Sequence, residues 1–172
     1  MKKIHSLSQE YGFKIIEDAS HAIGGKYKNE TIGNCRYSDI TIFSFHPVKI
    51  ITTGEGGMAL TNNPELAGRM QRYRCHGITS DANKMQLTPV DEIWNYQQIS
   101  LGFNYRMTDI QAALANSQLS KLNDFVEKRR FLATRYDNAF FKLPEIKVIQ
   151  LDMRTISSHH IYPVKIEFEK LK

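Results

Sequence analysis

Apolar positions recur at helical spacing from the first residues: Ile4, Leu7 and Tyr11 mark one side of a helix over Lys2 to Gly12, and Gly12 supplies its stop. Phe13-Lys14-Ile15-Ile16 then reads as a short strand ending at Glu17-Asp18. Residues Asp39 to Phe45 are β-branched and aromatic with apolar groups on both faces, the pattern of a strand covered on two sides. The glycine-rich turn Thr52-Thr53-Gly54-Glu55-Gly56-Gly57 leads to a further strand, Met58 to Thr61. Asn63 as a cap and Pro64 at the first helical position open a helix through Leu66, Met70 and Tyr73 to about His76-Gly77. Ile78 to Gln98 is polar and irregular. Thr108-Asp109-Ile110-Gln111 has the capping-box pattern and opens a long helical stretch through Leu114, Leu122 and Val126, with a bend expected between Asn116 and Lys121. The helical pattern resumes to Phe140. Pro144 separates it from Ile146 to Ile149, and Ile161 to Phe168 alternates like a strand in which Pro163 marks an edge or a start. The whole predicts an α/β chain.

With 172 residues, 41% hydrophobic and 24% charged, the chain is long enough for one substantial core. A net charge of +5 raises the question of nucleic acid, but the charges are interspersed with Asp and Glu, and Lys128-Arg129-Arg130 is the longest basic run. No nucleic-acid partner is therefore expected. The first residues carry no apolar stretch of signal-peptide length and no segment approaches a membrane span, so no membrane association is expected and the cytoplasm is the default. Cys35 and Cys75 have no His or Cys at ligand spacing, which points to neither a metal site nor a disulfide framework.

Candidate chemistry gathers after the two central strands. If these strands are parallel neighbours, Asp18, Ser44 and Lys49 converge at their carboxyl ends, where open α/β sheets bind ligands. The glycines after Lys49 let backbone pass close to a ring or a phosphate. A carboxylate, a hydroxyl and an amine in one crevice is the set pyridoxal phosphate needs: a partner for its pyridine nitrogen, a donor for its phosphate and a lysine for its aldehyde. On spacing alone, Lys49 reads equally as a solvated loop lysine, Asp18 as a turn or cap aspartate and Ser44 as an inward strand serine.

The residues themselves carry a resemblance. Glu17-Asp18-Ala19-Ser20-His21, Ser44-Phe45-His46-Pro47-Val48-Lys49, Thr53-Gly54-Glu55-Gly56-Gly57, and Leu101-Gly102-Phe103-Asn104-Tyr105-Arg106-Met107-Thr108-Asp109-Ile110-Gln111-Ala112-Ala113 stand in order. Together they resemble DegT-type nucleotide-sugar aminotransferases, pyridoxal-phosphate enzymes of the aspartate-aminotransferase fold, called fold type I. The resemblance implies part of the large domain of that fold, a mostly parallel sheet with helices on both faces, over residues 1–120. Residues 121–172 would be a connecting helix and the start of a small α/β domain. The wording of the Asp18 and Lys49 blocks is similar to the branch that aminates a 4-keto-6-deoxy UDP-sugar toward pseudaminic acid, the altrosamine transaminases.

Roles implied by the resemblance fall on single residues. Lys49 matches the Schiff-base lysine and catalytic proton carrier, Asp18 the carboxylate paired with the pyridine nitrogen, and Ser44 a phosphate-binding hydroxyl. His21 lies where such enzymes carry Gln or His near the ring's phenolic oxygen; otherwise it is a structural histidine. Asn104 matches an asparagine that reaches the cofactor phosphate of a neighbouring subunit, which would make the protein a homodimer with a composite site. Arg106 either holds an anionic ligand or serves a salt bridge. His160 matches a histidine approaching the substrate, with His159 leaving the register open, and Trp94 and Tyr96 either line a sugar cleft or pack a loop. A nucleotide sugar and an amino-acid donor, glutamate by the same resemblance, are the implied substrates. Against the resembled enzymes, the chain starts after a small-residue phosphate loop and a stacking aromatic, and most of the small domain is missing. The expectation is a segment inactive by itself. Two other readings stay open: a non-aminating relative that dehydrates or only binds a ligand, against which Lys49 stands because some such relatives carry histidine there, and an inactive fragment that pairs with another chain.

Overall fold

The computed structural model describes residues 1–87 and 92–171, so part of the irregular stretch after Ile78, and Lys172, lie outside the described residues. The chain divides into two compact units, Met1–Leu60 with Asp109–Lys172, and Thr61–Thr108. The boundary expected near residue 120 falls inside the first unit, between two helices.

Helix α1 (Lys2–Tyr11) ends on Gly12, whose left-handed backbone (φ 73°) lets its N–H close onto the Ser8 carbonyl at 2.8 Å. Strand β1 (Ile16–Asp18) starts later than the apolar pattern suggests, because the Ile15 N–H is taken by the Asp39 carboxylate at 2.8 Å. A hairpin follows, β2 (Lys26–Tyr27) with β3 (Glu30–Thr31), and then β4 (Ile40–Ser44) and β5 (Gly57–Leu60). The main sheet has the order β1-β4-β5, with β1 parallel to β4 and β5 antiparallel to it. The described sheet is thus mixed, with one parallel pairing.

In the second unit, α2 (Pro64–Tyr73) opens as the sequence predicts: the Asn63 side chain accepts from the N–H groups of Glu65 (2.8 Å) and Leu66 (3.2 Å). Short strands β6 (Ile78–Thr79) and β7 (Gln97–Gln98) pair antiparallel. Back in the first unit, α3 (Asp109–Leu119) and α4 (Leu122–Phe140) are broken where the bend is expected. Gln111, read as a capping-box residue, donates its side-chain amide to the Glu55 carbonyl at 3.0 Å, tying α3 to the glycine-rich turn. Strands β8 (Ile146–Val148) and β10 (Val164–Ile166) pair antiparallel, and β9 (Thr155–Ile156) between them in sequence adds to β2. Among the described residues no helix is long and apolar enough to cross a membrane.

Candidate active site

Because β1 and β4 run parallel, their carboxyl ends lie together, with Asp18 opposite Ile42 and Ser44 two residues further on. Register partners project to the same side, so Ile16, Asp18, Ile40, Ile42 and Ser44 share one face, and Thr41 and Phe43 occupy the other. The second face is packed: Thr41 and Phe43 are buried, and the Thr41 hydroxyl meets Glu17, Ser38 and Cys35. The first face is open, with Ile16 63% and Ile42 39% exposed, and Asp18 and Ser44 mark its carboxyl end.

Asp18 is held as a carboxylate. The Ser20 hydroxyl and the Ser20 N–H (3.0 Å) both donate to its Oδ1. These bonds, with the nearby charges of His21 and Lys49, keep its carboxyl below the usual range. The signal for Ser20 in the sequence is its spacing, two residues after an aspartate at a strand end.

Lys49 stands half-buried in a loop closed on itself. The Phe45 N–H donates to the Gly56 carbonyl (2.8 Å), the Thr53 N–H to the Phe45 carbonyl (3.0 Å), and the Lys49 N–H to the His46 carbonyl (3.0 Å). Ile50 and Ile51 are buried directly after it and anchor the loop. The lysine is thereby fixed at its backbone while its amine stays within electrostatic reach of Asp18 and His160.

His160 arrives from the far end of the sequence. Its ring lies 4.2 Å from that of His21, with planes inclined at 42°, whereas His159 turns toward Tyr162 at 6.5 Å. Burial first, and then the charges of His21, Lys49 and Arg129, push His160 below the ordinary histidine range. Its Nδ1 is buried without a hydrogen-bond partner among the described residues.

The first unit therefore brings Asp18, His21, Ser44, Lys49 and His160 to one end of the parallel pair. Asn104 and Arg106 belong to the second unit, where Asn104 forms a β-bridge with Cys75 and its side-chain oxygen accepts from Arg106 Nε at 3.4 Å. Among the described residues Arg106 makes no salt bridge; its other contact is Cys75 Sγ at 3.8 Å. Trp94 and Tyr96 are exposed in the same unit. A cavity of about 450 Å³ in the first unit is lined by His21, Lys26, Tyr27 and Ile156 among others. Neither Asp18 nor Lys49 borders it, so the converging side chains, and not this cavity, define the candidate site.

The donor set fits pyridoxal phosphate: an ionised carboxylate, a backbone-fixed amine and a hydroxyl at the ends of parallel strands. The DegT/DnrJ/EryC1/StrS aminotransferase family matches over residues 1–172. The UDP-4-amino-4,6-dideoxy-N-acetyl-beta-L-altrosamine transaminase of Campylobacter jejuni is 40% identical over 164 residues, which are 95% of this chain and 40% of that protein. The structure of Helicobacter pylori PseC, an aminotransferase involved in the biosynthesis of pseudoaminic acid, superposes with a TM-score of 0.84 at 32% identity, covering 98% of this chain and 42% of that one. The PLP form of Spr1654 from Streptococcus pneumoniae has a TM-score of 0.77 at 28% identity, over 96% of this chain and 42% of that one. The chain spans 40% of the length of the curated Campylobacter relative it matches. With its whole length matched and its α/β architecture shared with these fold type I enzymes, the chain belongs to the DegT/DnrJ/EryC1/StrS aminotransferase family.

Proposed function

We propose that this chain is the cofactor-holding segment of a pyridoxal-phosphate-dependent sugar aminotransferase. Its reaction would move an amino group, from glutamate, to a 4-keto-6-deoxy nucleotide sugar for a surface glycan. The observation that carries this reading is the convergence of Asp18 with Lys49 at the carboxyl end of the parallel β1–β4 pair. Relatives named altrosamine transaminase and pseudoaminic acid aminotransferase support the sugar class. The protein would work in the cytoplasm as a homodimer, with Asn104 and Arg106 of one subunit serving the phosphate and an anionic group at the other's site.

Bound pyridoxal phosphate supplies an electron-withdrawing ring that stabilises negative charge on the substrate carbon. Asp18, kept ionised by Ser20, would hold the proton on the pyridine nitrogen. Ser44 would donate to the phosphate, and His21 would lie against the ring's oxygen-bearing edge. Lys49 would hold the cofactor through Nζ and, once freed by the amino donor, would move the proton between the substrate carbon and the cofactor's C4′ carbon.

Borohydride reduction of the cofactor-loaded protein followed by peptide mapping tests this directly, and the label is expected on Lys49. Label on another lysine would remove the central assignment. In the complete enzyme, Lys49→Ala is expected to abolish transamination while leaving the unfolding midpoint nearly unchanged, since a loop lysine contributes little to stability.

A further inference from the structure

Helix α4 carries the adjacent Arg129 and Arg130, which the proposed chemistry does not use. Arg129 Nη1 donates to the carbonyls of His159 (3.1 Å) and His160 (3.2 Å). Arg130 Nε donates to the Ser157 carbonyl (2.9 Å) and its Nη2 to the Gly24 carbonyl (3.4 Å). Gly24 lies three residues after His21, and Ser157 three residues before His160, so Arg130 fastens together the two backbones that carry the facing rings. His159 is left-handed (φ 48°), and the Ser157 hydroxyl accepts its N–H at 3.0 Å. An unfavourable backbone of this kind persists where surrounding contacts over-determine it, and two carbonyls shared by one guanidinium are such contacts.

We infer that Arg129, supported by Arg130, is a positioning residue that holds the His160 ring against His21 beside Lys49. The inference rests on the aminotransferase reading only for why that place matters. Its physical basis is independent: His160 is half-buried, its buried Nδ1 has no hydrogen-bond partner among the described residues, and its own carbonyl and that of His159 are where the segment is anchored. The charged groups that act on it are His21 after β1, Lys49 after β4 and Arg129 on α4. Arg130, also on α4, approaches through the neighbouring Ser157 carbonyl.

The test follows the titration of each histidine by the rate of its ring C–H exchange, read by mass spectrometry in the full protein without cofactor. Wild-type His160 should titrate below the ordinary histidine value, while His46, which is exposed, reports general integrity. Arg129→Lys keeps the positive charge but loses the planar fork, so a change cannot come from charge alone. In this variant His160 is expected to leave its buried setting and titrate near the ordinary value of about 6.5, with His46 unmoved. An Arg129→Lys midpoint equal to wild type overturns the inference, as does an ordinary midpoint for His160 in the wild type. Should Arg129→Lys fail to fold, Arg130→Lys is read by the same criterion. Because no cofactor or substrate takes part, failure here leaves the aminotransferase reading standing, and failure to bind pyridoxal phosphate leaves this one standing.

Discussion

Gly24 has φ +77°, and a methyl placed on it would meet Val126 Cγ2 of α4 at 2.7 Å. It is therefore required twice, once for its backbone and once for the close approach of the helix to the turn that follows His21. Gly54, in the turn after Lys49, has φ +80° with nothing within 4 Å. Gly24→Ala should cost roughly 2–5 kcal/mol, combining left-handed strain with overpacking, whereas Gly54→Ala should cost roughly 1–2 kcal/mol from strain alone. Urea unfolding of the two variants separates the contributions, and equal losses would contradict the packing argument. At Asp18 the expected effect is chemical. Asp18→Ala should reduce turnover more than cofactor retention, and wild-type turnover in that variant would remove the pyridine-nitrogen role. The places of Asp18 and Ser44 were legible in the sequence because each ends a patterned strand, and that of Lys49 because a glycine-rich turn follows it. Arg129 and Arg130 were not, since their partners are carbonyl oxygens, which leave no trace in side-chain identity.

Among the elements, α4 is the spine that the site leans on. Val126 and Ala133 are buried along it, its arginines hold the His160 segment, and near its end Asp137 accepts from the Tyr162 hydroxyl at 2.6 Å. Burial first, and then this hydrogen bond and the Asp137 charge, push the Tyr162 phenol up to about 12. An unfolded tyrosine titrates near 10, so the folded state binds the proton more tightly. The resulting stability is fully present below pH ~10 and is lost as pH rises toward about 12. Tyr162→Phe should flatten that loss, and melting temperatures of the two proteins across this window decide it. The sequence located α1, α2 and the break before α4 because Gly12, Asn63-Pro64 and the lapse of apolar spacing near Lys121 are local signals. It missed β2, β3 and β9, each two residues long, since no alternation develops over so short a run and the β2–β9 pairing joins Lys26 to Ile156.

For the whole molecule, the main open question of stability is the face that Asp18 shares with Ile16 and Ile42. An apolar sheet face left open invites association, so the chain expressed by itself is expected to self-associate and to show no sugar aminotransferase activity. Ile42→Lys should lower its sedimentation coefficient toward that of a monomer while changing its unfolding free energy by no more than about 0.5 kcal/mol, as for other exposed positions. A wild-type chain that sediments as an active monomer would refute the expectation. The discontinuity of the first unit carries a consequence in time. Gly24 meets Arg130 across 106 residues, so at a synthesis rate of roughly 5–20 residues per second the turn behind His21 leaves the ribosome roughly 5–20 s before its helix exists. Throughout that interval the turn stands without the helix that packs on it, within reach of any chaperone waiting at the exit.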